Sequence, residues 1–137
     1  MRTFVNWWAI VVSAIVFFFF GALWYELLFE KAYIAAMGPL LQPMTGGAWY
    51  PYAVSLVTAF FLAYGLALIL RWRGTVGVLE GAWIGFAFGL LIFGTMTWMD
   101  YVYSGWGVTL GLINIGYVAV GMAIQGAILA AWRPRAS

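Results

Sequence analysis

The chain has 137 residues, 66% hydrophobic and only 7% charged, whereas average soluble chains carry roughly a quarter charged residues. That balance excludes a water-soluble domain. The absence of Cys and His further excludes disulfides, thiol nucleophiles, Ser-His-Asp triads, zinc sites and His-ligated haem. The charged residues leave uncharged runs at 3–25, 32–70, 81–99 and 101–132, and a bilayer core takes about 20 apolar residues per helix. The chain therefore reads as an all-α membrane protein, with four transmembrane helices in one compact bundle.

Helix 1 is expected at about 3–29. Its apolar stretch exceeds the roughly 7–15 residues of a signal-peptide core, and Gly21-Ala22-Leu23-Trp24 offers no small-x-small cleavage site. The next run is too long for one span. Pro39, Pro43 and Pro51, with Gly38, Gly46 and Gly47, break it. Residues 32–37 then form an outer extension or interfacial turn, and helix 2 runs over about 51–70, with Pro51 at a first helical position where its missing N–H costs nothing. Helix 3 is expected at 79–101. The turn Ser104-Gly105-Trp106-Gly107 leads into helix 4 at 108–132. The Pro/Gly-rich outer loop at 30–50 is too short to bury a core of its own, so 1–137 forms a single four-helix domain.

Orientation follows from the Lys/Arg bias of short loops. Arg2, Arg71, Arg73, Arg133 and Arg135 fall on one side and Lys31 on the other. Both termini are thus expected in the cytoplasm and the protein in a bacterial inner membrane, multi-pass. The bias is unlike the balanced loops of dual-topology multidrug transporters. The Trp and Tyr residues gather at both expected interfaces. The outer belt is the heavier, with Trp24, Tyr25, Trp49, Tyr50, Tyr52, Trp98, Tyr101, Tyr103 and Trp106.

Helix association in lipid depends on close backbone approach. Gly81, Gly85 and Gly89 form a four-residue stripe on helix 3, and Gly107 and Gly111 repeat the spacing on helix 4. These glycines are expected to pack, within the bundle or against another copy. Asn114, Gly121 and Gln125 share one face of helix 4; Ser55 and Thr58 share a stripe on helix 2, as do Asn6 and Ser13 on helix 1. An amide in hydrocarbon needs partners. Asn114, Gln125, Ser55 and Thr58 are therefore the candidate polar lining, either as interhelical hydrogen bonds or as a polar path.

Carboxylates are the main chemistry available. Glu26, Glu30 one turn beyond it, and Asp100 reach a similar outer depth if regular helices are counted from residues 3 and 81. Paired carboxylates in poorly solvated surroundings can hold a proton or a cation, so these three form the candidate outer acidic site. Glu80 is expected to pair with Arg71 or Arg73. Residues 20–26 also faintly echo 93–100 (Phe-Gly at the start, Trp and an acid at the end), as a parallel repeat would.

Gly21-Ala22-Leu23-Trp24-Tyr25, then Leu27-Leu28-Phe29, Lys31 and Met37-Gly38, resemble the opening signature of a bacterial family of small four-helix membrane proteins. Ile113-Asn114-Ile115-Gly116-Tyr117 and Gly126-Ala127-Ile128-Leu129-Ala130-Ala131-Trp132 resemble its last helix. That family is the domain of unknown function numbered seventeen sixty-one. The resemblance implies a four-helix membrane fold and brings no activity with it. Where the family carries a Ser-Pro pair after the Trp-Tyr, this chain has Glu26 alone, so Glu26 is read from its position and not as a family residue.

The functional expectation is a non-catalytic membrane protein: a self-associating bundle or an accessory subunit of a larger membrane complex. The alternative is a small proton- or cation-coupled transporter or channel using the outer carboxylates. No catalytic residue, metal site or cofactor is expected, though bound lipid fits the composition. Expected partners are membrane lipids, further copies of the chain or other membrane subunits. Nucleic acid is not expected, because orientation already accounts for the few arginines.

Overall fold

The computed structural model describes residues 6–38, 49–74 and 77–132. Among them, four helices are long and apolar enough to cross a membrane: Trp7–Leu28, Trp49–Arg73, Val78–Ser104 and Val108–Ala131. These are spans 1 to 4. The expected start of helix 1 at residue 3 lies outside the described residues. So do Pro39, Pro43, Gly46, Gly47, Arg2, Arg133 and Arg135. A short helix, Glu30–Met37, covers residues 32–37, where an outer extension or interfacial turn was expected.

Two boundaries moved for a local reason. Span 2 starts at Trp49, which makes Pro51 its third residue instead of its first. Backbone N–H groups in a first turn have no helical acceptor, so Pro51 still costs no hydrogen bond. Span 3 continues past residue 101 to Ser104 and stops at Gly105, whose φ of 76° is left-handed. Glycine adopts that conformation without a Cβ penalty.

Span 1 opens on Asn6, whose side-chain oxygen accepts from the N–H groups of Trp8 and Ala9 at 3.1 and 3.3 Å. That capping satisfies donors otherwise left unpaired. The Asn6 amide also donates to the Trp132 carbonyl at 2.9 Å. The start of span 1 and the end of span 4 therefore meet at one end of the bundle, the terminal end. The opposite end, the loop end, carries the short helix and the span 3–span 4 turn.

Span 4 is the hub. It packs against spans 1, 2 and 3 and against the short helix, while span 1 also packs along span 2. Ile10, Leu66 and Met122 are fully buried where spans 1, 2 and 4 meet, with Ala9, Ala14, Ala59 and Ala63 filling the narrow places. Spans 2 and 3 are joined by the short link 74–77 and yet scarcely touch.

Span 3 reaches the rest of the molecule mainly through span 4. A methyl group on Gly81 would run into the Gly126 carbonyl and the Ala130 side chain, and one on Gly126 would run into the Gly81 carbonyl. Gly85 sits against the Met122 carbonyl, and a side chain on Gly89 would begin 2.8 Å from the Ala119 Cα. Here the backbones themselves are in contact, the arrangement that drives helix association when lipid is as apolar as the side chains.

Two spans are not regular α-helices throughout. Residues Leu23–Leu28 of span 1 and Gly89–Gly94 of span 3 form wider π-helical turns, each of which inserts an extra residue into the ladder. In span 3 this shifts the packed stripe. It runs through Gly81, Gly85 and Gly89 at intervals of four, then steps five residues to the buried Gly94 and on to Trp98. The wide turn of span 1 ends where the Phe29 N–H donates to the Trp24 carbonyl at 3.0 Å.

Candidate functional site at the loop end

Near the two wide turns, aromatic side chains of spans 1 and 3 lie on the first half of span 4. The Trp24 ring stands 2.9 Å from where a side chain on Gly116 would begin, and its indole N–H donates to the Ile113 carbonyl at 3.0 Å. On the other side, the Trp98 ring stands 3.2 Å from the corresponding point on Gly111. Between these two glycines lies Asn114. Its side-chain oxygen accepts from the Tyr25 hydroxyl, and its amide donates to the Tyr101 hydroxyl. One amide thereby ties span 1 and span 3 to span 4, with a tryptophan over a glycine on each flank.

Further rings close around this amide. Tyr25 lies 5.0 Å from both Tyr33 of the short helix and Tyr117, centroid to centroid, in edge-on geometry. Phe20 stacks on Tyr117 at 5.8 Å. Edge-on and offset pairs of this kind are worth about 0.5–1.5 kcal/mol beyond their buried area. The described cavities lie elsewhere.

The expected site residues separate into distinct places. Asn114 is half-buried in the cluster just described, and Gln125 is fully buried at 0% exposure. The Gln125 amide donates to the Ala59 carbonyl of span 2 at 3.1 Å, while its oxygen finds no protein donor. Ser55 and Thr58 do not join these amides. Both lie on the exposed face of span 2, and the Ser55 hydroxyl bonds back to the Pro51 carbonyl at 2.7 Å. The helical stripe read for them was sound, but it faces away from span 4. Ser13 is buried, and its hydroxyl bonds the Ile10 carbonyl of its own helix at 3.2 Å.

Glu26, Glu30 and Asp100 are all exposed. Among the described residues, no three acidic side chains come close enough together to hold a metal ion. Asp100 borders a shallow depression formed by Met96, Thr97, Met99 and Tyr103 of its own helix. Counting a regular helix from Gly81 brings Asp100 towards the packed stripe, whereas the wide turn rotates it out and brings Tyr101 in. Glu80 pairs with Arg73 at 3.7 Å.

The packing glycines also divide. Gly81, Gly85 and Gly89 pack within the chain, Gly111 lies under Trp98, and Gly107 has open space around it. The true partners of the span 3 stripe are Ala119, Met122, Gly126 and Ala130. Their spacing of three and four residues was visible in the sequence but was overlooked beside the more obvious Gly107–Gly111 pair. Tyr101, one of the two tyrosine partners of Asn114, was equally hard to find, because a regular helical count misplaces a residue beyond a π-turn.

Four helices gathered on one hub, each long and apolar enough to cross a membrane and with the described charges at their ends, define the molecule as a compact all-helical bundle. The sequence matches the family described as Protein of unknown function (DUF1761) over residues 8–130, and the chain belongs to it. No curated protein and no solved structure matches the chain.

Proposed function

We propose that the protein acts by contact within the membrane, as a non-catalytic bundle that associates with further copies of itself or serves as a subunit of a larger membrane assembly. The placement of its polar groups carries this reading. The buried polar side chains among the described residues are Ser13 and Gln125, and small and aliphatic residues seal the core around them. The chemically active groups Glu26, Glu30 and Asp100, and the hydroxyls of Ser55 and Thr58, all face outward. A side chain turned outward meets neighbours; it does not line a reaction chamber. The glycine stripe of span 3 is already occupied by span 4, so association with other chains would use the outer faces of spans 2 and 3.

The compartment we infer is a bacterial inner membrane with both termini cytoplasmic. The arginine bias of the loops supports it, as does the meeting of Asn6 with Trp132 at one end. Native mass spectrometry of the gently extracted protein tests the functional reading. A homo-oligomer or a defined complex is the expected result. A monomer whose reconstituted vesicles show pH-dependent ion flux, lost in Asp100→Asn, would replace this reading with coupled transport.

A further inference from the structure

Spans 2 and 3 are sequence neighbours joined by the link 74–77, and helices so joined ordinarily pack side by side. Here they part instead. The gap between them is an apolar groove of about 250 Å³, walled by Phe61, Gly65 and Ile69 of span 2 and by Phe88 and Phe93 of span 3, with Met122 of span 4 beneath. Gly65 has nothing within 4 Å of where its side chain would begin. Protein interiors are packed to the density of organic crystals, so an apolar gap of this kind in a bilayer is filled by something apolar.

Size selects the occupant. A helix with its side chains is roughly 10–12 Å across, and two turns of one would need several times the available volume. A single hydrocarbon chain fits. Charge adds a head group. About one helical turn beyond Ile69, towards the terminal end, Arg73 of span 2 pairs with Glu80 of span 3 at 3.7 Å, with the Arg73 side chain 67% exposed. By helical spacing, Arg73 continues the stripe of Phe61, Gly65 and Ile69. Trp72, exposed beside it, is of the type that sits at head-group level. Arginine binds phosphate through a rigid fork of donors.

We propose that this groove is a lipid site, holding one acyl chain of a glycerophospholipid whose phosphate sits at Arg73. Such a lipid would complete the span 2–span 3 contact that the chain leaves open. Because its phosphate sits at Arg73, the lipid comes from the leaflet on the terminal side of the bundle.

The test uses the full chain reconstituted in phosphatidylethanolamine/phosphatidylglycerol vesicles, then extracted in mild detergent and weighed by native mass spectrometry. The expected wild-type spectrum contains protein carrying one retained phospholipid. Gly65→Leu, which fills the groove, and Arg73→Ala, which removes the phosphate partner at an exposed position, should each lose most of that adduct. Trp83→Ala, on an exposed part of span 3 outside the groove, should keep it. A wild type without retained lipid, or an adduct equally strong in Gly65→Leu and Arg73→Ala, overturns the proposal. So does retention of a second protein that Gly65→Leu displaces.

Discussion

Gly81 and Gly126 face each other at a crossing where neither has room for a methyl group, because each looks onto the other's carbonyl. The side chain that would collide meets backbone, which cannot rotate away. Gly126→Ala should therefore destabilise the bundle by about 1–3 kcal/mol, the usual range for overpacking. Thermal unfolding in mild detergent measures it. Gly107→Ala, at the N-cap of span 4 with nothing around it, is the matched control and should cost less than about 1 kcal/mol.

Asn114 is expected to hold the loop-end half of span 3 in place. No residue of the stretch Thr95–Ser104 is buried, so this half depends on a few directed contacts, whereas the half bearing Gly81 and Gly85 is packed backbone to backbone. Asn114→Leu removes both tyrosine hydrogen bonds. Interhelical bonds of this kind average about 0.6 kcal/mol and reach about 1.7, which puts the expected loss for two at about 1–3 kcal/mol. Hydrogen exchange should accelerate over residues 95–104 and stay unchanged over 78–88. Uniform acceleration across span 3 would contradict this division.

Gln125 behaves differently, because it is only half satisfied. Gln125→Leu gives up one bond to the Ala59 carbonyl, but it also removes a buried oxygen that has no donor. An unmet acceptor in an apolar interior costs about 1–3 kcal/mol, comparable to the bond that is lost. The substitution should leave stability within about 1 kcal/mol of wild type, on either side. Gln125→Glu should be much the worse of the two, since burying a carboxylate without a partner costs more than burying an amide. Paired melting curves of the two variants distinguish them.

Glu26→Gln and Asp100→Asn touch exposed groups at the ends of their spans. Neither should alter the melting temperature measurably, since exposed positions outside special features change stability by less than about 0.5 kcal/mol. If either lowers stability by 2 kcal/mol or more, these carboxylates are structural and the outward placement argued above is wrong.

Much of this architecture was legible because lipid imposes a simple rule on sequence: a span must be long, apolar and free of charge. The four helices, the Gly105 turn and the inward direction of Asn114 and Gln125 all follow from it together with the period of 3.6. The same period does not turn Tyr101 towards Asn114. Counting regular turns from Gly81 assumes a constant rotation per residue, and the wide turn at Gly89–Gly94 breaks that assumption. Nothing in Gly-Leu-Leu-Ile-Phe-Gly announces such a turn, because a π-helical insertion arises from how the packed halves of a helix fit their neighbour. Ser55 and Thr58 were misjudged for a different reason. Hydroxyls in a span can satisfy themselves on their own helix, as Ser55 does on Pro51, and so they need not face inward.

The wide turn in span 3 also decides which side chains the half beyond it turns inward. One residue corresponds to about 100° of rotation in an α-helix. If the segment Gly89–Gly94 closed as an ordinary helix with its length unchanged, the contacts of Gly81 and Gly85 would stay in place while the half beyond turned about its axis by that amount. Asp100 would then arrive where Tyr101 now meets Asn114, and a neutral hydroxyl joint would become a carboxylate held inside the bundle. A change of winding, with no change of sequence, would thus move charge across the boundary between outer surface and protein interior.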